Sequence, residues 1–209
     1  ELLLHQAGLK AFVPFWRNTI LPNGTFNPAY YGDSIKNKLE ICPGLAINPS
    51  IKDSVLKWIG QSAVTEPNQK YVYSDLGLII LQRIVEQVTQ QPINTFVQNT
   101  IFSPLGMANT DFNIYKKIDR NSIAPTENDL VYRKAQIQGN VHVPNAALLG
   151  GVAGHARVFS NAWDLAKLLQ MNLNKGVYAG QVYFTPATMD MFTANQTKIS
   201  HRGLGWNKP

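Results

Sequence analysis

Tyr71-Val72-Tyr73-Ser74-Asp75-Leu76-Gly77 is the run whose reading decides this chain. It sets phenols, a hydroxyl and a carboxylate where a helical pattern begins. Leu78, Leu81, Ile84, Val85 and Val88 follow at three- and four-residue steps, so the spacing predicts an amphipathic helix over residues 74–90 with those side chains inward. Ser74 and Asp75 are expected to accept its first amide protons, and Pro92 stops it. A tyrosine at such a position can move protons only with help. Its ordinary pKa of ~10 is too high for a base at neutral pH, so the role needs positive charge nearby, such as a lysine and the helix N-terminus. Nothing local supplies that lysine. Taken alone, the run reads more simply as a capped helix behind a packed tyrosine.

Outward from this run the pattern stays mostly helical. Ile51, Val55, Trp58 and Ile59 form one stripe over residues 51–62, and a shorter helix over 94–101 ends at Ser103-Pro104-Leu105-Gly106. Ser160 or Asn161 caps a helix running to about Asn174, with Asp164 in its first turn where the dipole favours it. Thr185-Pro186 opens another, with proline at the first helical position. Residues 18–50, rich in Asn, Pro, Gly and Tyr, read as a long irregular excursion with turns at Asn23-Gly24 and Cys42-Pro43-Gly44. Excursions of that length are often functional. Residues 110–143 are mixed, and Val177 to Phe184 predicts a hairpin around Ala179-Gly180.

Of the 209 residues, 44% are hydrophobic and 15% charged, enough apolar mass to offset the entropy of ordering one domain. The densest apolar run, Leu76 to Leu81, is cut by Gln82 and Arg83, so no membrane span is expected. Glu1-Leu2-Leu3-Leu4-His5 lacks the basic flank of a secretory signal. The net charge of +6 is uneven: residues 1–105 hold 8 basic and 7 acidic side chains, residues 106–209 hold 11 and 6. The basic residues are scattered and no nucleic-acid-binding motif accompanies them, so the excess reads as solvated surface. Cys42 is the single cysteine, which excludes an internal disulfide and suggests no zinc site. No cofactor or metal is expected.

Five segments in order carry a resemblance. They are Leu2-Leu3-Leu4-His5-Gln6-Ala7-Gly8-Leu9; Tyr73-Ser74-Asp75-Leu76-Gly77; Ile101-Phe102-Ser103-Pro104-Leu105-Gly106-Met107; Gly150-Gly151-Val152-Ala153-Gly154-His155-Ala156; and Gly203-Leu204-Gly205-Trp206. Each is common alone, but the ordered set closely resembles class C β-lactamase-like and penicillin-binding-protein-like serine hydrolases, over almost the whole chain. The resemblance implies an α+β fold of the β-lactamase/transpeptidase type, represented here mainly by its helical region with few strands. It also implies a Ser-x-x-Lys nucleophile, a lysine and tyrosine sharing proton transfer, and a third motif of Lys-Thr-Gly or His-x-Gly type on a strand.

By that resemblance Tyr73 matches the family tyrosine and Asp75 the position usually held by asparagine. An ionised aspartate accepts hydrogen bonds but donates none, whereas an amide does both. The departure points toward an esterase or peptidase-like parent. The nucleophile belongs upstream of Leu2, so none is expected in this chain. Ser54-Val55-Leu56-Lys57 fits Ser-x-x-Lys by letters but stands 19 residues before Tyr73, in a surface helix, and is read as a decoy. His201-Arg202-Gly203 fits His-x-Gly but precedes Gly203-Leu204-Gly205-Trp206, where the family's motif follows it, and is read as a second decoy. His155 is the remaining candidate, in a glycine-rich loop that borders the cleft in the family, with Ser74 as its partner in lining the cleft. Arg157 stands where relatives usually place a glycine, and its charge could either reach an acidic substrate or merely extend into solvent. His5 and His142 are expected to be structural.

The expectation is therefore a partial domain over residues 1–209, missing its Ser-x-x-Lys and strand-bearing parts, from a hydrolase of a peptide, amide or ester in the bacterial periplasm or envelope. Alone it should be inactive and should associate through the face left uncovered. Tyr73, Asp75 and His155 are expected within roughly 10–15 Å around one cleft. The alternative is a non-catalytic binding or scaffolding module of the same fold.

Overall fold

The computed structural model describes residues 1–32, 36–62, 64–156 and 158–208. Arg157 lies outside them. The chain folds as two units, Glu1–Ala11 with Ala63–Asp111 and Phe159–Pro209, and Phe12–Ser62 with Phe112–Val158.

The second unit holds helices α1 (Pro28–Tyr31) and α2 (Ile51–Gly60). Two hairpins accompany them, β1 (Leu39–Cys42) with β2 (Leu45–Ile47), and β3 (Pro125–Asp129) with β4 (Ala135–Gln138). Helix α5 (Pro144–Leu148) follows. Ile51, Val55 and Ile59 of α2 are buried as the spacing requires, and Trp58 stacks 6.0 Å from Phe15. The first hairpin turns at Gly44, whose φ of 79° most side chains adopt only under strain. This hairpin lies within the stretch read as irregular: strands of three and four residues are too short to show an alternation. The second hairpin lies in the mixed stretch. Its loop is clasped by Arg133, whose buried guanidinium donates to Asp129 at 2.7 Å, Glu127 at 2.8 Å, and the carbonyls of Val141 at 2.6 Å and His142 at 2.5 Å.

The first unit is built on α3 (Asp75–Thr89), α4 (Ile93–Val97), α6 (Ala162–Leu173) and α7 (Pro186–Thr193). Helix α4 widens into a π-helical turn over Gln98–Phe102. A small hairpin, β5 (Val177–Tyr178) with β6 (Gln181–Val182), turns at Ala179-Gly180 as read, both residues having positive φ. Phe102, Leu105, Met107 and Met171 form a buried cluster, with Leu168 and Tyr178 against it. Asn161 caps α6 by accepting from the Asp164 amide at 2.9 Å, and Thr185 caps α7 by accepting from the Thr188 amide at 3.1 Å.

One helix turns out differently. The buried face of α3 is Leu76, Gly77, Ile79 and Gln82, not the Leu78-to-Val88 stripe; Ile84 is 43% exposed and Val88 79%. The helix is apolar on two sides, so periodicity finds a stripe without saying which one packs. Gly77 decides it: a side chain there would sit 3.5 Å from Leu2 and 3.8 Å from Leu9, so this is the face on which residues 2–9 lie. Helix α6 likewise leaves Leu165, Leu169 and Leu173 in solvent, one stripe at helical spacing.

Asp164 is the buried polar anchor of α6. Its carboxylate accepts from the Asn109 amide at 2.8 Å and the Thr110 hydroxyl at 2.9 Å, and Lys167 approaches at 3.3 Å. Replacing it with alanine takes the acceptor from the Asn109 amide, while the Thr110 hydroxyl keeps the Ser160 hydroxyl at 2.8 Å, and costs about 1–3 kcal/mol, whereas Lys167→Ala costs less than about 1 kcal/mol. Urea unfolding of the two variants beside the parent chain measures both.

Candidate active site

The N-terminus of α3 is fixed by what surrounds Ser74 rather than by Ser74 capping the helix. The Ser74 hydroxyl donates away from the helix to the Lys10 carbonyl at 2.7 Å, the Ser74 amide donates to Nδ1 of His5 at 3.0 Å, and the Asp75 amide donates to the Ala11 carbonyl at 3.1 Å. This corrects the expectation that Ser74 accepts the first amide protons. The serine serves as a buried strap to the 5–11 segment, and no side-chain cap is formed. His5 is therefore structural, with Nδ1 as acceptor and the proton on Nε2. Burial, and then the charge of Arg202, hold its imidazole below the usual range and keep it neutral.

Tyr73, immediately before this strap, is 47% exposed and lies outside the core. Its ring packs on His5 at 4.4 Å between centroids, and the Arg202 guanidinium stands 5.5 Å from its centroid. Arg202 is equally close to Tyr71 and donates from Nε to the Tyr71 hydroxyl at 3.0 Å. A cation does stand beside Tyr73, an arginine 129 positions further along. Sequence reasoning missed it because Arg202 appeared only as the variable letter of a His-x-Gly decoy; no local pattern links it to Tyr73.

Asp75 is half-buried, and burial alone pushes its carboxyl above the usual range. That moves it toward the protonated form, the only one able to donate a hydrogen bond as an asparagine amide does.

His155 belongs to the other unit, at a tight turn in which the Ala156 amide returns to the Ala153 carbonyl at 3.3 Å. The loop before it requires its glycines. Gly151 has a φ of 76°, and a side chain there would meet Asn113 at 2.5 Å, the residue that donates to the Gly150 carbonyl at 3.0 Å. Both ring nitrogens of His155 are buried without a hydrogen-bond partner, and burial lowers its pKa to about 4. Tyr73, Ser74 and Asp75 are brought together in the first unit; His155 is described within its own.

The two segments that fit the motifs by letters have these surroundings. Ser54 lies on α2 and its hydroxyl turns to the Ser50 carbonyl at 3.5 Å, with Lys57 exposed one turn on. His201 meets the Asn207 amide oxygen at 2.9 Å on the surface. Burial raises the Cys42 thiol above its usual pKa, which disfavours the thiolate, although Cys42 borders a cleft of about 380 Å³ with Tyr31, Lys38 and Glu40. Among the described residues no three His, Cys, Asp or Glu side chains could hold a metal ion, and no helix is long and apolar enough to cross a membrane.

The state of His155 is testable through pH. A base whose folded pKa is depressed contributes stability that is complete above its unfolded value of about 6.5 and is lost as pH falls toward 4, up to about 3 kcal/mol. Thermal unfolding of the parent chain should therefore decline over that window more steeply than that of His155→Leu. His5 titrates in both proteins, so the difference isolates His155, and parallel curves would contradict the burial.

Comparison with known proteins shows the family and the fold. Residues 1–208 match the family model described as Beta-lactamase. The chain is 37% identical over 218 aligned residues to a putative D-alanyl-D-alanine carboxypeptidase of Escherichia coli (strain K12), covering 99% of this chain and 45% of that protein. It is 34% identical over 168 residues to the like-named protein of Salmonella schwarzengrund (strain CVM19633), covering 74% and 39%. The chain thus spans less than half the length of these relatives. Among solved structures, a penicillin binding protein from Bacillus halodurans superposes with a TM-score of 0.61 at 12% identity, covering 98% of this chain and 53% of that one. The octameric penicillin-binding protein homologue from Pyrococcus abyssi gives 0.60 at 17%, covering 98% and 41%. These two likenesses speak for the β-lactamase/transpeptidase-like fold alone. A match running over residues 1–208 places the chain in the beta-lactamase family of serine hydrolases.

Proposed function

We propose that this chain is the tyrosine-bearing part of an enzyme that hydrolyses a peptide, amide or ester through an acyl-serine, working in the bacterial periplasm or envelope. The observation that carries the reading is Tyr73: half-exposed beside the fixed N-terminus of α3, with a guanidinium over its ring. A phenol so placed can take the proton of a serine hydroxyl and return it to a leaving group. Asp75 and Ser74 form the start of the helix beneath it, Asp75 as a substrate-side group and Ser74 as the strap that fixes the backbone. His155 is assigned to cleft lining. The carboxypeptidase name of the relatives favours a peptide substrate.

The nucleophile is assigned to a Ser-x-x-Lys helix that is not among these 209 residues, since the one match by letters has its serine turned to a helix carbonyl. Association through the apolar stripes of α3 and α6 belongs to the same reading. A scaffolding role without chemistry is the alternative.

Incubation of the 209-residue chain with a fluorescent penicillin, followed by intact-mass analysis, tests the assignment. No adduct is expected. A stoichiometric adduct on Ser54 would overturn the motif assignment.

A further inference from the structure

The loop joining β3 to β4 holds two aliphatic side chains in water. Leu130 is 75% exposed and Val131 70%, although the residues on either side of the pair, Asp129 and Tyr132, are buried. A slack loop would fold such a pair back onto the protein. This one is clasped from two directions. The Asp129 carboxylate accepts from the Val131, Tyr132 and Arg133 amides at 2.9, 2.8 and 3.1 Å, and from Nε of the buried Arg133 at 2.7 Å. Behind the loop the Tyr132 and Tyr31 hydroxyls are bonded at 2.8 Å, the Tyr31 and Thr19 hydroxyls at 2.8 Å, and Thr19 donates to the Trp16 carbonyl at 2.6 Å. The backbone is thus fixed with its apolar tip outward, and a fixed apolar tip marks a contact surface.

The surroundings of the tip carry aromatic rings and cations. The Trp16 ring packs on Tyr132 at 5.1 Å between centroids, and the Arg17 guanidinium stands 5.5 Å from the Trp16 centroid. Lys134 is exposed and held in the left-handed region at a φ of 52°. The acids of the hairpin do not neutralise these two cations, because Glu127 and Asp129 turn to Arg133 at 2.8 and 2.7 Å. Among the described residues no ion pair engages Arg17 or Lys134. Residues 12–62 and 112–158, which form this unit, hold 11 basic and 6 acidic side chains against 8 and 7 in the rest of the chain, so the excess charge lies on the unit that carries the tip.

Shape decides between the kinds of partner. Two aliphatic side chains supply far less than the ~800 Å² per partner that a stable protein interface buries, and a convex tip offers no groove. A bilayer surface is fluid and accepts a small convex tip, with aromatic rings at headgroup depth and cations on the lipid phosphates. We propose that the loop over residues 130–134, with Trp16 and Arg17 beside it, is a contact site for an anionic lipid bilayer, Leu130 and Val131 entering the headgroup layer. The site lies apart from the acyl-transfer reading and does not rest on it.

The test floats the 209-residue chain with vesicles of phosphatidylcholine containing about one-third phosphatidylglycerol, and with vesicles of phosphatidylcholine alone. Half of the chain should bind the anionic vesicles at about 1 mM lipid, and the neutral ones should bind about tenfold more weakly. Leu130→Ser combined with Val131→Ser should weaken binding at least about tenfold, and Lys134→Gln about fivefold. Both aliphatic side chains lie in water, so the double variant should keep the parent's unfolding midpoint. Should it unfold, spin-labelled lipid reports on the parent chain directly, by broadening the Leu130 and Val131 methyl signals. No flotation, unbroadened methyl signals, or flotation indifferent to the double substitution would overturn the proposal; the last would assign binding to another face, such as the open stripe of α6. So would a chain dimer that the double substitution dissociates while vesicle binding stays unchanged, which would make the tip a contact between copies. A penicillin adduct on Ser54 would sink the motif assignment and leave this measurement untouched.

Discussion

Ser74 is the point on which the first unit turns. Its hydroxyl is spent on the Lys10 carbonyl and its amide on His5, while the next amide goes to Ala11, so three hydrogen bonds tie the start of α3 to residues 5–11. Those donors would otherwise be orphans of a helix N-terminus. The strap holds His5, which burial and Arg202 keep neutral, against Tyr73 and thereby sets where that phenol stands. The 202–205 segment then closes over the same N-terminal residues through Leu3 and brings Arg202 to the two tyrosines. A capping serine would have forgone the bond to the Lys10 carbonyl.

Much of this was legible because some signals are local. Asn161 with Asp164, Thr185 with Pro186, and Ala179-Gly180 are each decided within a few residues by caps and turns, and the helices and hairpin stand where those signals put them. The family was legible because five short segments kept their order. What the chain concealed is non-local. The face of α3 that packs is chosen by Leu2 and Leu9, about seventy residues away, and the cation beside Tyr73 comes from position 202. Ser74 was read as a cap because serine before a helix usually is one; its hydroxyl found a stronger tertiary partner. The hairpins of residues 39–47 and 125–138 escaped because three to five residues per strand give no period to read.

Two apolar stripes, on α3 and α6, are left in water. Each fully buried valine, leucine or isoleucine is worth about 1.5–3 kcal/mol relative to solvent, and Val88, Leu169 and Leu173 forgo most of that. These stripes explain why the 44% hydrophobic content predicts a folded core without predicting that every apolar stripe is used.

The central claim is that Tyr73 moves the proton in acyl transfer. The direct measurement is hydrolysis of p-nitrophenyl acetate by the gene product that joins these residues to a Ser-x-x-Lys helix, comparing Tyr73→Phe with Ser54→Ala. The account predicts that Tyr73→Phe lowers kcat by about 100-fold or more with an unchanged thermal unfolding midpoint, and that Ser54→Ala has no effect. A Tyr73→Phe enzyme within about threefold of the parent, or an inactive Ser54→Ala, would contradict it.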